Sequence, residues 1–151
     1  MGRRPPAIIV SSLLKVESML SNPTEKQIEN QILSYLRNKG IFVWKNQSTG
    51  VFDPTKKVFR KSSNPHHISG VSDILGILKD GRFLAIEVKK PYISKKTLKV
   101  KYRTQEELQK LASVEQVNFI QKIRLSNGVS FYADSLEVVE DQLIFAKIEQ
   151  G

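Results

Sequence analysis

The chain has 151 residues, 40% of them hydrophobic, with 24 lysines and arginines against 15 aspartates and glutamates. That length suits one domain with a single substantial core, and no apolar run approaches the length of a membrane span. The absence of cysteine excludes disulfides, zinc knuckles and thiol catalysis, and a net charge of +9 points to a polyanionic partner, most often nucleic acid.

Residues 1–21 are expected to form an arm or a short helix ahead of a single domain spanning 22–151. Their apolar run is interrupted by Lys15 and Glu17, with no small-residue cleavage pattern, and Pro6 stands where a myristoylation signal needs Ser or Thr. The expectation is therefore an intracellular, cytoplasmic protein with no membrane partner. The segment SNPTEKQIENQILSYLRNKG predicts a helix. Thr24 and Gln27 form a capping box, Ile28, Ile32, Tyr35 and Leu36 recur at helical spacing, and Gly40 supplies the stop. A strand follows over Ile41–Trp44, where Trp44 reads as core packing rather than as a base-stacking platform.

Between Lys45 and Ser69 the chain is polar. GVFDPTKKVFRK, with two Val-Phe pairs around Pro54–Lys57, predicts a small hairpin. Lys45, Lys56, Lys57, Arg60 and Lys61 make this stretch basic and are the candidate nucleic-acid contacts. The adjacent His66 and His67 follow Asn64-Pro65 and read as surface. GVSDILGILKDGRFLAIEVKKP then predicts two strands joined by a turn, apolar at nearly every position as in a sheet covered on both faces. A second basic connector, Tyr92–Arg103, reads as mobile. Thr104 with Glu107 caps a helix bearing Leu108 and Leu111. Ser113 with Gln116 opens another, ended by Gly128. VSFYA is a strand, and SLEVVEDQL a short helix on Leu136, Val139 and Leu143. Strands and helices in this order predict an α/β domain with a mixed sheet.

The turn near Gly81 decides whether the charged residues of the hairpin converge. A two-residue turn at Asp80-Gly81 would set Asp73 across from Val88 and send Glu87 to the other side. A three-residue loop, Lys79-Asp80-Gly81 with Gly81 left-handed, sets Asp73 directly across from Glu87, with Lys89 on the same face. Two opposed carboxylates repel unless one is protonated or a cation lies between them. Oxygen-only donors select a hard ion such as Mg²⁺ or Mn²⁺, and with Lys89 alongside the set suits phosphodiester hydrolysis.

With these residues in view, GVSD followed by IEVK resembles the PD-(D/E)xK nuclease core, with Ser72 where that family has proline. The closer similarity is to its VRR-Nuc branch, small stand-alone nucleases of phages and bacteria. It extends over the IENQIL helix, FVWKN, the hairpin, SVEQVNFIQKI and NGVSFYADSLEVV. The resemblance implies a restriction-endonuclease-like fold, a mixed central β-sheet flanked by helices. It implies a Mg²⁺- or Mn²⁺-dependent deoxyribonuclease, a homodimeric endonuclease cutting branched DNA such as four-way (Holliday) junctions. It makes Asp73, Glu87 and the carbonyl of Val88 metal ligands, Lys89 the catalytic lysine, and Gln116 the group that orients lysine or water. The same resemblance asks for an acid on the first helix: Glu29 fits, with Glu25 one turn earlier as the alternative. Glu25 also suits a dipole-complementing position, and Gln116 is equally explained as a capping partner. A sequence-specific restriction-type enzyme and a non-catalytic nucleic-acid-binding protein are the rival readings.

Overall fold

A computed structural model describes residues 23–47, 51–56, 58–60, 64–92 and 103–150. The expected arm (1–21) and most of the connector between Tyr92 and Arg103 lie outside them. In chain order the elements are α1 (Glu25–Asn38), β1 (Phe42–Lys45), β2 (Val51–Asp53), β3 (Val58–Arg60), β4 (Ile74–Ile77), β5 (Phe83–Val88), α2 (Gln105–Gln109), α3 (Val114–Leu125), β6 (Val129–Ala133) and α4 (Leu136–Gln150). Among the described residues no helix is long and apolar enough to cross a membrane.

All three capping boxes read from the sequence form. The Oγ atoms of Thr24, Thr104 and Ser113 accept from the backbone N–H three residues on, and the Gln27, Glu107 and Gln116 side chains accept from the cap N–H in return. The helix ends divide differently. Gly40 closes α1 as expected, with Ile41 N–H bonded back to Leu36 O at 3.1 Å and Gly40 N–H to Arg37 O at 2.9 Å. At the end of α3 the left-handed residue is Asn127 (φ 65°), not Gly128. Gly128 is needed one position later for close approach, because a Cβ there would lie 3.0 Å from Ile123 O and 3.1 Å from Phe83 O. The last helix runs seven residues past the expected Leu143 to Gln150. Ile144 and Phe145 point outward, 55% and 57% exposed, and obscure the periodicity, while Ala146 is buried in the core.

The hairpin β4–β5 is the middle of a four-stranded mixed sheet ordered β1-β4-β5-β6, antiparallel except for the parallel pair β5–β6. β2 and β3 form the separate small hairpin predicted for them. Helices lie on both faces. On one, Val43, Ile74, Leu84, Ile86, Val88, Val129, Phe131 and Ala133 pack against Ile28, Ile32, Leu33 and Leu36 of α1 and Val139 and Ala146 of α4. On the other, Tyr132 packs with Leu108 of α2 and Ile120 of α3. From Leu84 to Lys89 every residue is buried, as a central strand covered on both faces requires. The outer edge of β6 is closed by side chains: the Gln105 carboxamide exchanges two hydrogen bonds with the Tyr132 backbone (2.7 and 2.9 Å), and Arg124 donates to Ser130 O at 3.1 Å.

Among the described residues helices cover the second face over β5 and β6 and none covers it over β1 and β4, where Trp44 lies half-buried rather than in either core. The position expected for it was wrong because β1, running Phe42–Lys45 instead of Ile41–Trp44, is an edge strand. Of its apolar residues only Val43 turns inward against α1.

The approach of β1 to β4 depends on Gly76, where a Cβ would meet Phe42 O at 2.6 Å and Val43 Cγ1 at 2.6 Å. Gly76→Ala should therefore push β1 outward, costing roughly 1–3 kcal/mol. Thermal unfolding checks this as a fall in Tm of several degrees.

Candidate functional site

The loop at the hairpin tip takes the three-residue form. Leu78 and Arg82 close it, with Leu78 N–H to Arg82 O at 2.9 Å and Gly81 N–H to Leu78 O at 2.9 Å. Gly81 stands at φ 91°, a conformation costly for residues with a Cβ. The ladder runs from Ile77↔Phe83 to Ile74↔Ile86, so Asp73 is the next residue across from Glu87. In this register the even-numbered residues of β5 exchange backbone bonds with β4, which makes Ser72 the natural partner of Val88. Pairing stops at Ile74↔Ile86, two residues short of it. The Val88 N–H is taken instead by the side chain of Asp73, whose Oδ2 accepts at 2.8 Å. On its other side the Asp73 carbonyl accepts from Asn46 N–H at 2.8 Å. The aspartate is thus held between two strand ends, its carboxyl lying over the hairpin's open end.

Glu87 is 2% exposed. Its Oε1 accepts from Gln116 Nε2 at 2.8 Å and lies 3.9 Å from Lys89 Nζ. Its Oε2 is buried and, beyond the proton it can share with Asp73, receives no donor. The Asp73 carboxyl is close enough to share a proton with it. Burial raises Glu87 to about 9, helped by the Asp73 charge, by the hydrogen bond with Asp73 and by the charge of Glu25, and opposed by Lys89. Lys89, also buried, donates from Nζ to Gln116 Oε1 at 3.2 Å. That oxygen accepts from Ser113 N–H at 3.0 Å as well. Gln116 therefore fills both of its expected roles at once: its oxygen completes the capping box of α3 and receives Lys89, while its nitrogen serves Glu87.

Gly70 brings α3 to this point. It has φ 78°, and a Cβ on it would fall 2.3–2.6 Å from the Glu115 carbonyl group and Gln116 N. The GVSD segment and the first turn of α3 touch backbone to backbone, so the same glycine that leads into Asp73 seats Gln116. The sequence signal for it, a glycine three residues ahead of the aspartate, carried no indication of which helix it would meet.

Asp73, Glu87, Lys89 and Gln116 are brought together, and Val88 lies between them through its backbone. Glu29 is placed differently. It is 7% exposed and faces Lys45, with Nζ 3.3 Å from its Oε1, on the side of the sheet that packs against α1. Of the α1 acids, Glu25 is the one whose charge contributes to the shift of Glu87. Lys45 is accordingly engaged by an acid, and Lys56 sits exposed in the β2–β3 turn. Arg60 is described by its backbone alone, and Lys57 and Lys61 lie outside the described residues. His66 and His67 are exposed, as expected.

Two buried neighbours had no sequence signal. Tyr132 pairs with Glu87 in the parallel register, and its hydroxyl is buried without a partner. Burial is the main cause that raises its pKa, with the Glu87 charge adding to it. Asp134, at the end of β6, is raised by burial and held by Arg103 Nε at 3.0 Å. Arg103 also donates to the Lys90 carbonyl and so ties the ends of β5 and β6 together.

Two opposed carboxyls that can share a proton can hold a cation in its place. Among the described residues no third Asp, Glu or His joins them. A hard ion held by one or two carboxylates, completed by backbone carbonyl, water and substrate oxygens, needs no more than this.

In EDTA, Glu87 should stay protonated in the folded chain up to about 9, against an ordinary value of 4.5. The folded state then binds more protons than the unfolded one, so stability declines as pH rises from about 4.5 toward 9. Glu87→Gln should remove that part of the slope, measured by urea unfolding at several pH values; an unchanged slope would contradict the assignment. Gly70→Ala should cost roughly 1–3 kcal/mol and unseat Gln116, seen as a lowered Tm. No protein-family model matches this chain, and none of the curated proteins is significantly similar to it.

Proposed function

We propose that this protein is a metal-dependent deoxyribonuclease that hydrolyses phosphodiester bonds, on a restriction-endonuclease-like core. The observation that carries this reading is the convergence of Asp73, Glu87, Lys89 and Gln116 at the open end of one hairpin, on a chain of net charge +9. Asp73, Glu87 and the Val88 carbonyl would hold Mg²⁺ or Mn²⁺. Such an ion supplies neutralising charge to a phosphate oxygen and acidifies a water.

The protein's own residues do the remaining work. Asp73, fixed through the Val88 N–H, presents a carboxylate whose position is set by backbone rather than by a free rotamer. Gln116 holds Glu87 and Lys89 apart at defined distances by bonding each with a different atom of one carboxamide. Lys89 keeps two further Nζ donors for a water or a phosphate oxygen, where positive charge opposes the negative charge that develops during displacement at phosphorus. Buried surroundings strengthen each of these interactions relative to water.

The similarity to VRR-Nuc nucleases supports an endonuclease acting on branched DNA as a homodimer, in which two related sites make two related cuts. It likewise supports a first-helix carboxylate near the metal. Glu25 suits that role better than Glu29, which is committed to Lys45.

Labelled single strand, duplex, flap and four-way junction, incubated with Mg²⁺, Mn²⁺ or Ca²⁺, test the reading. Cleavage of the junction at internal positions is expected in Mg²⁺ or Mn²⁺ and none in EDTA. Asp73→Asn should abolish cleavage while preserving DNA binding, and Gln116→Ala should lower the rate by about 10²-fold or more. Equal cleavage by Asp73→Asn, or in EDTA, would leave a basic DNA-binding protein; release from free ends alone would make the enzyme an exonuclease.

A further inference from the structure

The open half of the sheet face carries a row of rings. Phe42 and Trp44 are two residues apart on β1 and so project to one side, their centroids 5.3 Å apart and their planes tilted by 48°. Phe83 meets Trp44 edge-on at 6.5 Å. Phe42 is 67% exposed and Ile77, across from it on β4, 43%. This is the face of the carboxylate pair: Trp44 lies across from Leu75, and Leu75 is two residues along β4 from Asp73, about 7 Å. Apolar residues exposed side by side, unlike ones scattered singly, are a feature of binding surfaces. Phe83 meets Trp44 from the side, Trp44 is half-buried and Phe42 is largely exposed.

We infer that Phe42 and Trp44 form a stacking platform for unpaired bases of a DNA strand whose phosphate lies at Asp73 and Glu87. The inference rests on the nuclease reading and narrows its substrate to DNA with an unpaired segment beside the scissile bond. Three features favour this occupant. The rings are aromatic and stand at alternate strand positions, the arrangement on which single-stranded bases stack without regard to sequence. The chain's charge of +9 complements a polyanion and opposes docking of a second equally charged copy on the same face. The platform is continuous with the site, so one strand can engage both.

Trp44 is the only tryptophan in the chain, so its emission reports on this face alone. The experiment titrates the full chain, in EDTA to prevent hydrolysis, with an oligothymidylate and with a blunt duplex of equal length, following Trp44 emission and the anisotropy of labelled DNA. The single strand should quench Trp44 and the duplex should bind without quenching. Phe42→Ala should weaken single-strand binding about tenfold and leave duplex binding within about twofold. Binding of the single strand with unchanged emission, equal weakening of both DNAs by Phe42→Ala, or Trp44 inaccessible to acrylamide in the free protein would each overturn the inference. Cleavage in Mg²⁺ with no quenching would remove the platform and leave the nuclease; quenching with no cleavage would remove the nuclease and leave the platform.

Discussion

Two carboxylates placed across from each other on neighbouring strands form an interaction that a folded chain has reason to avoid. Glu87 is buried on a central strand, and its nearest acidic neighbour is Asp73. Burial and like charge act in the same direction, and both disfavour ionisation of Glu87. What surrounds the pair reads as a response. Val88 N–H is diverted from the sheet ladder to Asp73, Gln116 donates to Glu87, and Lys89 brings a positive charge to within 3.9 Å. The second buried oxygen of Glu87 has no partner but the Asp73 carboxyl, with which it can share a proton.

The second face of the sheet is built outward from this constraint. α3 cannot be moved independently of the site, because Gly70 lets its first turn rest on the backbone that leads into Asp73. The Gln116 carboxamide then links three things at once: the helix start, the buried glutamate and the lysine. Arg103 and Gln105 close the adjoining strand ends and edge. The first face has no such polar network. There α1 and α4 cover the sheet with aliphatic side chains, packed against strand residues that include Phe131, and the one buried charged residue of α1, Glu29, faces Lys45. One face carries the larger core; the other carries the smaller core and the carboxylate cluster, with Phe42 exposed and Trp44 half-buried beside it.

Much of this was legible beforehand because local chemistry determined it. Three capping boxes, the stop at Gly40, the small hairpin over Val51–Arg60 and the mixed sheet follow from patterns a few residues long. The pairing of Asp73 with Glu87 was a choice between two turns, and Gly81 takes the left-handed conformation that the three-residue form needs. Misreadings occurred where local patterns were ambiguous. The exposed Ile144 and Phe145 hid the continuation of α4, and Asn127 took the helix-ending conformation ahead of Gly128. Trp44 was placed in the core because its side chain is large and apolar, yet composition cannot say which face of an edge strand is covered.

By itself, then, the amino-acid sequence determined most of the elements, their caps and the two registers open to the central hairpin, of which the structure takes the one that opposes Asp73 and Glu87. Periodicity, turn chemistry and charge act over a few residues, so they can be read along the chain. Only the tertiary structure decided which of the α1 acids bears on Glu87, that Gln116 serves helix and site together, that Gly70 is the seat of α3, and that the rings of β1 lie uncovered beside the carboxylates. Each of those depends on which elements meet in space, and the free energy of that meeting belongs to the packed sheet and helices as a whole rather than to any segment of the chain.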